Sequence, residues 1–351
     1  MDRLIKSSFE NIKIAGIASA VSNKWTSIDS FYGEIGEQTV EKFKKTTGVM
    51  GRYDAGPKQC TSDFCYISAD SLLKDKRINP DEIGALVFVS QTPDYNIPAT
   101  ACVIHDRLGL SKNCIAFDVN LGCSGYVYGI NIVASLMTNS NIDKALLLVG
   151  DTSAKKKNKL TKDTENSFNM LFGDSGSCTL ISKEPAKTIN TVLCTDGSGY
   201  KAIINIRNTW RHPESNKKIM DDVAVFNFTI SEVPKTIRDF MDITSTKPDD
   251  YDCLVPHQAN LFVLKQLAKR TGFPIDKILV SIDKFGNTSS SSIPITLVKH
   301  YGEKRSNETI KTLMSGFGVG LSWGVMSAQI NVNDILPLVH TDEYFDDGIP
   351  D

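Results

Sequence analysis

Cys114-Ile115-Ala116-Phe117-Asp118-Val119-Asn120-Leu121-Gly122-Cys123-Ser124-Gly125 runs from a mostly apolar stretch into a cysteine flanked by small residues, and an apolar-rich stretch, residues 126–137, follows. The first part reads as a strand and the last as a helix, with Cys123 on the turn between them. A strand-to-helix turn aims free backbone N–H groups and the positive end of the helix dipole at the side chain placed there. A thiol in that position is easier to ionise, and the thiolate is the reactive form. The alternative is a buried, inert cysteine, which is what most cysteines are.

Outward from this unit the same alternation continues. Strand-like runs fall at 12–18, 85–91, 115–119, 144–150, 189–194, 253–256, 309–315 and 321–330. Helix-like segments fall at 36–45, 62–73, 100–108, 125–137, 231–241, 260–269 and 290–299, and a turn is expected at Lys284-Phe285-Gly286-Asn287. Such alternation predicts an α/β layered fold with buried strands. The lysine-rich segment 154–162 reads as an exposed loop. Leu171-Phe172-Gly173-Asp174-Ser175-Gly176-Ser177-Cys178-Thr179-Leu180-Ile181 and Gly318-Val319-Gly320-Leu321-Ser322-Trp323-Gly324-Val325 are both glycine turns that feed a final strand. This echo suggests a duplication, with halves at 1–185 and 186–335 and an acidic, solvated tail at 336–351.

Composition narrows the function. The chain has 351 residues, 41% hydrophobic and 23% charged, as an ordinary globular protein does. A net charge of -2 gives no electrostatic case for nucleic acid or an anionic membrane. No uncharged apolar run approaches the ~20 residues of a membrane span, and the charged N-terminus does not read as a signal peptide. The eight cysteines form no C-x-x-C pair and are scattered as free thiols would be, so a cytoplasmic location is expected.

Three more sites can carry chemistry. His257, in Pro256-His257-Gln258-Ala259-Asn260, ends a strand and begins a helix, as Cys123 does. Beside a thiol it is a candidate general base or oxyanion donor; alone it is more often a hydrogen-bonded structural group. Asn287 is either a helix N-cap or a neutral donor to an oxyanion, and the serines after it suit close helix packing. The glycine-rich segment 314–320 lacks the pattern of a nucleotide loop, but its backbone can approach a ligand closely and complete an oxyanion hole. Cysteine, histidine and asparagine together suggest covalent acyl chemistry. The papain-type context around a catalytic cysteine is absent.

Taken in order, the motifs D-V-N-L-G-C-S-G (118–125), L-F-G-D-S-G (171–176), P-H-Q-A-N (256–260), G-N-T-S-S-S-S-I-P (286–294) and G-F-G-V-G-L-S-W-G (316–324) resemble the β-ketoacyl-[acyl-carrier-protein] synthase III family of the thiolase superfamily. The resemblance covers about residues 12–330. It implies a thiolase-like five-layered αβαβα fold of two similar halves, a homodimer, no metal and no tightly bound cofactor. It implies that Cys123 takes an acyl group from an acyl-CoA or from the phosphopantetheine thioester of an acyl carrier protein. His257 and Asn287 then stabilise the enolate formed as a malonyl-type unit loses carbon dioxide. The N–H groups of Cys123 and of the Gly318-Val319-Gly320 loop hold the oxyanion; Val319 stands where a glycine is common, and a backbone donor survives that change. Phe226, Asn260 and Phe262 fall at substrate-binding positions, and Lys265, Lys269 and Arg270 offer a basic surface for carrier docking. A biosynthetic thiolase would carry a second cysteine near the glycine loop, and none is present.

The chain also departs from the family pattern. Lys42 and Thr46 stand where a tryptophan and an arginine clamp the adenine of coenzyme A. Phe262 replaces the arginine that follows P-H-Q-A-N-L. Asp222 and Asn227 replace a glycine and a lysine. Lost cations weaken binding of a phosphorylated carrier. The expectation is therefore a specialised condensing enzyme. The alternatives are an acyltransferase to oxygen or nitrogen without decarboxylation, and a non-catalytic partner subunit.

Overall fold

The computed structural model describes residues 4–154, 169–207, 209–215 and 217–350. Its first strands are β1 (Lys6–Phe9), β2 (Ile12–Val21), β3 (Trp25–Ser27), β4 (Gly51–Tyr53), β5 (Ile83–Val89), β6 (Ile115–Val119), β7 (Lys144–Asp151) and β8 (Ser175–Lys183). Then follow β9 (Ile189–Thr195), β10 (Ile203–Asn205), β11 (Lys218–Met220), β12 (Cys253–Pro256), β13 (Thr309–Gly318), β14 (Ser322–Asn331) and β15 (Val339–His340). The helices used below are α1 (Glu37–Thr47), α2 (Thr61–Lys76), α3 (Thr100–Arg107), α4 (Gly125–Thr138), α5 (Asp222–Ile243), α6 (Leu261–Thr271) and α7 (Ser292–Tyr301).

Two sheets form the frame. One has the order β15-β2-β8-β7-β5-β6 and the other β1-β9-β14-β13-β12. They repeat one pattern. The pairs β2–β8 and β7–β8 are antiparallel and β5–β7 is parallel, just as β9–β14 and β13–β14 are antiparallel and β12–β13 is parallel. The glycine echo falls on corresponding strands, β8 and β14. Helices α4 and α7 lie between the sheets, α2 and α3 cover the outer face of the first, and α5 and α6 cover the second. The layers are therefore αβαβα. Sandwiched helices must be apolar on more than one face, and α4 buries Tyr126, Val127, Ile130, Val133, Ala134 and Met137. Val87 and Val149 of the first sheet and Val255 and Met314 of the second join them in one core cluster.

Several expectations needed revision. Helix α5 begins at Asp222, nine residues before the expected start, because Asp221 caps it by accepting from the N–H groups of Val223 and Ala224. The glycines at 316 and 318 lie inside β13, and the turn is confined to the residues between β13 and β14. Strand β1, before the first expected strand, belongs to the second sheet, where it pairs with β9. The C-terminal segment is not a free tail. Strand β15 pairs with Ala20 and Val21 of β2, Gln59 Nε2 donates to the carbonyls of Thr341 and Glu343, and the Phe345 N–H donates to Asp63. Of the expected 154–162 loop, all but Ala154 lies outside the described residues.

Candidate active site

The carboxyl ends of strands from both sheets meet at a cavity of about 880 Å³. Its wall includes Cys123, His257, Asn287, Gly318 and Val319, which the sequence placed in four separate motifs. Gly320 is not among the lining residues; it turns the chain, at φ 141°.

Cys123 lies between β6 and α4, on a turn closed by the Gly125 N–H donating to the Gly122 carbonyl at 2.7 Å. The turn sits hard against β13. A Cβ on Gly318 would come within 2.8 Å of Cys123 Cβ and 3.2 Å of Sγ. Only glycine lets this strand support the cysteine from below. The thiol is free, and its one side-chain hydrogen-bonding contact among the described residues is the Ser289 hydroxyl at 4.0 Å. Sequence logic expected a depressed thiol pKa. Instead burial, followed by the charge of Asp151, pushes it up to about 12, against smaller lowering effects from Ser289, its own backbone N–H and Lys218. A helix dipole is worth up to about 2 kcal/mol, whereas burial can shift a group by about 3–5 units, so burial wins. The unliganded thiol is protonated at neutral pH.

His257 follows β12 and is buried. Its backbone N–H donates to the Ser315 carbonyl at 2.7 Å, which continues the β12–β13 pairing by one residue. Nδ1 lies 2.8 Å from Ser292 Oγ, and the ring meets Phe317 edge-on at 5.3 Å. Burial lowers its pKa to about 3, so the ring is neutral.

Asn287 is tied to the L-F-G-D-S-G segment: its N–H donates to the Leu171 carbonyl and its carbonyl accepts from the Gly173 N–H. Oδ1 accepts from the Ser289 N–H at 2.9 Å. The structural reading of the sequence is a helix N-cap, but Thr288 and Ser291 hold the N-cap positions of the two helical segments that follow; Asn287 instead closes a turn ahead of them, and that bond commits the oxygen. The amide NH₂ is left to face the cavity. The serines that follow are all buried and face different neighbours: Ser289 faces Cys123, Ser290 the Val89 carbonyl, Ser291 Ser177 and Ser292 His257. They position the site as well as pack a helix.

Phe226, Asn260 and Phe262 line the outer wall. The two phenylalanine rings stack at 5.7 Å, and Asn260 caps α6 by accepting from the Val263 N–H. Thr46 also lines the wall, but Lys42 does not. Lys265, Lys269 and Arg270 are exposed on α6 and outside the cavity. At 1.5 Å per residue, Lys269 and Arg270 lie about 10–12 Å along the helix from Phe262, so only Lys265 is close to the mouth. Among the described residues, the charged ones in the lining are Lys218 and Asp222. Lys218 lies over the Phe172 ring, and burial lowers its pKa. Sequence reasoning missed Lys218, Ser292 and the buried Asp151. The last carries a recognisable signal, an acid closing an apolar strand at the sheet edge where α/β ligands bind.

Residues 117–197 match the 3-oxoacyl-[acyl-carrier-protein (ACP)] synthase III family, and 241–330 match its C-terminal region. The β-ketoacyl-[acyl-carrier-protein] synthase III of Desulfitobacterium hafniense (strain DSM 10664 / DCB-2) is 31% identical over 288 residues, spanning 79% of this chain and 86% of the relative. The chain belongs to the β-ketoacyl-[acyl-carrier-protein] synthase III family. A putative 3-oxoacyl-[acyl-carrier-protein] synthase 3 of Campylobacter jejuni is similar over 97% of this chain and its own full length, at 29% identity. Among solved synthases, the 3-oxoacyl-(acyl-carrier protein) synthase of Burkholderia xenovorans LB400 superposes with a TM-score of 0.91, at 33% identity, over 97% of this chain and 100% of that one. The priming β-ketosynthase of the R1128 polyketide pathway, at 23% identity and a TM-score of 0.81, shares the fold. This synthase III family is one of acyl-thioester condensing enzymes, and its thiolase-like architecture is the one described above.

Proposed function

We propose that the chain condenses an acyl thioester with a malonyl-type thioester in two half-reactions at this cavity, using Cys123, His257 and Asn287. In the first, Cys123 Sγ attacks the thioester carbonyl and becomes acylated, while the backbone N–H groups of Cys123 and Val319 hold the oxyanion. In the second, the malonyl-type thioester loses carbon dioxide. Its enolate oxygen accepts hydrogen bonds from the Asn287 amide and a His257 ring N–H, and its carbon attacks the acyl group on Cys123. Ser292 Oγ lies 2.8 Å from Nδ1; in the tautomer where that hydroxyl donates, Nε2 carries the proton and serves as the donor to the enolate oxygen.

One observation carries the choice between condensation and simple acyl transfer. An acyltransferase needs His257 as a base, and a useful base has a pKa near the working pH. Burial holds this ring near 3, which suits a neutral donor and disfavours an imidazolium. The donor is a carrier-protein or coenzyme A thioester, with no resident metal or cofactor. The subunit acts as a cytoplasmic homodimer: β6 is an open sheet edge with Ile115 exposed, a surface that pairing with a second copy would cover. No helix among the described residues is long and apolar enough to cross a membrane.

The test is intact-mass analysis after exposure to a panel of acyl-CoA and acyl-carrier thioesters. Wild type gains an acyl adduct that Cys123→Ala does not. Addition of a malonyl thioester then discharges the adduct with carbon dioxide release. Discharge to an oxygen or nitrogen acceptor without carbon dioxide would establish the acyltransferase instead.

A further inference from the structure

Among the described residues, two aspartates stand close to the site and almost wholly buried, and they are bonded differently. Asp174 uses both carboxylate oxygens, accepting from the N–H groups of Ala55 and Ala154. Asp151, at the end of β7, commits only Oδ1, which accepts from the Gln91 N–H at 2.7 Å, Ser90 Oγ at 3.1 Å and Thr92 Oγ1 at 3.2 Å. Its Oδ2 is buried with no hydrogen-bond partner. An unpaired carboxylate oxygen in a dry site is costly, and structural carboxylates are normally satisfied, as Asp174 is. The Ser289 hydroxyl is the strongest group favouring the ionised form of Asp151, although it falls outside bonding geometry with Oδ2 here. The same hydroxyl is the contact of Cys123 Sγ. The 289–291 turn packs against β7, which ends at Asp151, and Ser289 therefore stands beside both the thiol and an unsatisfied acid.

We propose that Asp151, acting through the Ser289 hydroxyl, accepts the Cys123 proton during acyl transfer. The inference rests on Cys123 being the nucleophile. As sulfur bonds to the donor carbonyl carbon, the S–H bond breaks. Its proton passes to Ser289 Oγ, the Ser289 proton passes to Asp151, and the carboxylate becomes a neutral carboxyl. When the adduct collapses, the carbon–sulfur bond to the carrier breaks, and its electrons leave with the carrier thiolate. The proton returns through Ser289 to that thiolate. No other reactant is needed.

The site has reason to want such an acceptor. The thiol is held protonated, and His257, buried and neutral, is a poor base. Burial raises the Asp151 pKa, which makes its carboxylate a stronger acceptor than an exposed one. Burial does most to keep the thiol from ionising, and the negative charge that adds to it disappears once Asp151 takes the proton. The titratable groups facing Asp151 are Cys123, Lys218 of β11 and Cys65 of α2.

The decisive experiment is the pH profile of Cys123 alkylation by iodoacetamide in the full chain, beside the rate of acylation by a thioester that charges wild type. A purely electrostatic or structural Asp151 makes a definite counter-prediction: Asp151→Asn removes a nearby negative charge, lowers the thiol pKa and speeds alkylation at pH 7. The relay predicts the reverse. Alkylation and acylation at pH 7 fall about 10²-fold, the usual worth of a positioned base, and the gap closes as pH rises and the thiol ionises unaided. Ser289→Ala interrupts the path while leaving the carboxylate in place; it should slow both reactions similarly, and the double variant should be no slower than either single one. If Asp151→Asn does not fold, Asp151→Ser takes its place, because Ser289→Ala also removes a contact that lowers the thiol pKa and slows alkylation without any relay. Unchanged or faster alkylation at pH 7 in the folded variants overturns the relay. Absence of any acyl adduct on wild-type Cys123 overturns the functional proposal instead, and alkylation still reports on the relay.

Discussion

At the scale of single residues, the site is set by burial more than by charge. His257 shows this most clearly. Its folded pKa lies near 3, below the 6.5 of an unfolded histidine. Between those values the unfolded chain binds a proton that the native ring refuses. The stability that neutral His257 contributes is therefore complete above pH 6.5 and is lost as pH falls from there toward 3. Wild type should lose thermal stability across that window more steeply than His257→Gln, as melting curves at successive pH values would record. For the same reason, carbon dioxide release by the acylated enzyme should show no histidine-type loss between pH 7.5 and 5.5. A titration near 6.5 in that half-reaction would mean that the ring is solvated in the working enzyme. In the proposed mechanism, His257→Ala and Asn287→Ala each remove one donor to the enolate oxygen. Each should slow carbon dioxide release by about 10²–10³-fold, the loss typical of an oxyanion donor, while Cys123 still acquires its acyl adduct. Intact mass and carbon dioxide trapping separate the two half-reactions.

At the scale of elements, strand ends deliver the chemistry and glycines let them meet. The β6–α4 turn, β12 and the β13–β14 hairpin were legible because strand, turn and helix signals lie within a few residues of each functional group. The approach of β13 to Cys123 was not, because nothing local says which glycine faces which strand 195 residues away (318 − 123). Gly318→Ala should therefore act on chemistry more than on folding. Its Cβ would press on Cys123 Cβ and Sγ, and either β13 or the cysteine must move. A stability loss of about 1–3 kcal/mol, typical of an overpacked site, is expected together with a much larger fall in acylation rate. A melt combined with adduct kinetics reads both, and a normal acylation rate would show that the turn yields without displacing the sulfur. Cross-half partners escaped sequence reading for the same reason. Ser292 holds His257 and Ser289 contacts Cys123, yet in the sequence both are only members of a serine run. Strands β1 and β15 were missed because short edge strands carry too little pattern to register.

At the scale of the whole molecule, the duplicated frame explains why the interior could be read and the entrance could not. Apolar periodicity led to an α/β layered fold with buried strands, while the αβαβα arrangement and the grouping of the site followed from the resemblance of the five motifs to the synthase III family. The mouth is made of side chains free to differ. Here it carries Phe43, Thr46, Thr47, Asp222, Phe226 and Phe262, in which stacked aromatics and an acid face the approach that the proposed mechanism gives to a phosphorylated carrier. An acid near phosphate costs affinity, and an aromatic supplies no charge-assisted hydrogen bond. Poor use of free coenzyme A thioesters follows, with binding energy drawn from the carrier protein. Phe262→Arg should restore a phosphate contact at the head of α6. A charge-assisted hydrogen bond of about 1.5–3 kcal/mol corresponds to roughly 10-fold or more in KM for an acyl-CoA, with kcat little changed, because the new contact is made equally in the ground state and the transition state. Steady-state kinetics of Phe262→Arg and Asp222→Asn against one acyl-CoA and its carrier-protein counterpart would test this. A fall in KM confined to the coenzyme A substrate is the expected result. An unchanged KM in both variants would place the phosphate elsewhere on the molecule and remove the mouth from the account of donor choice.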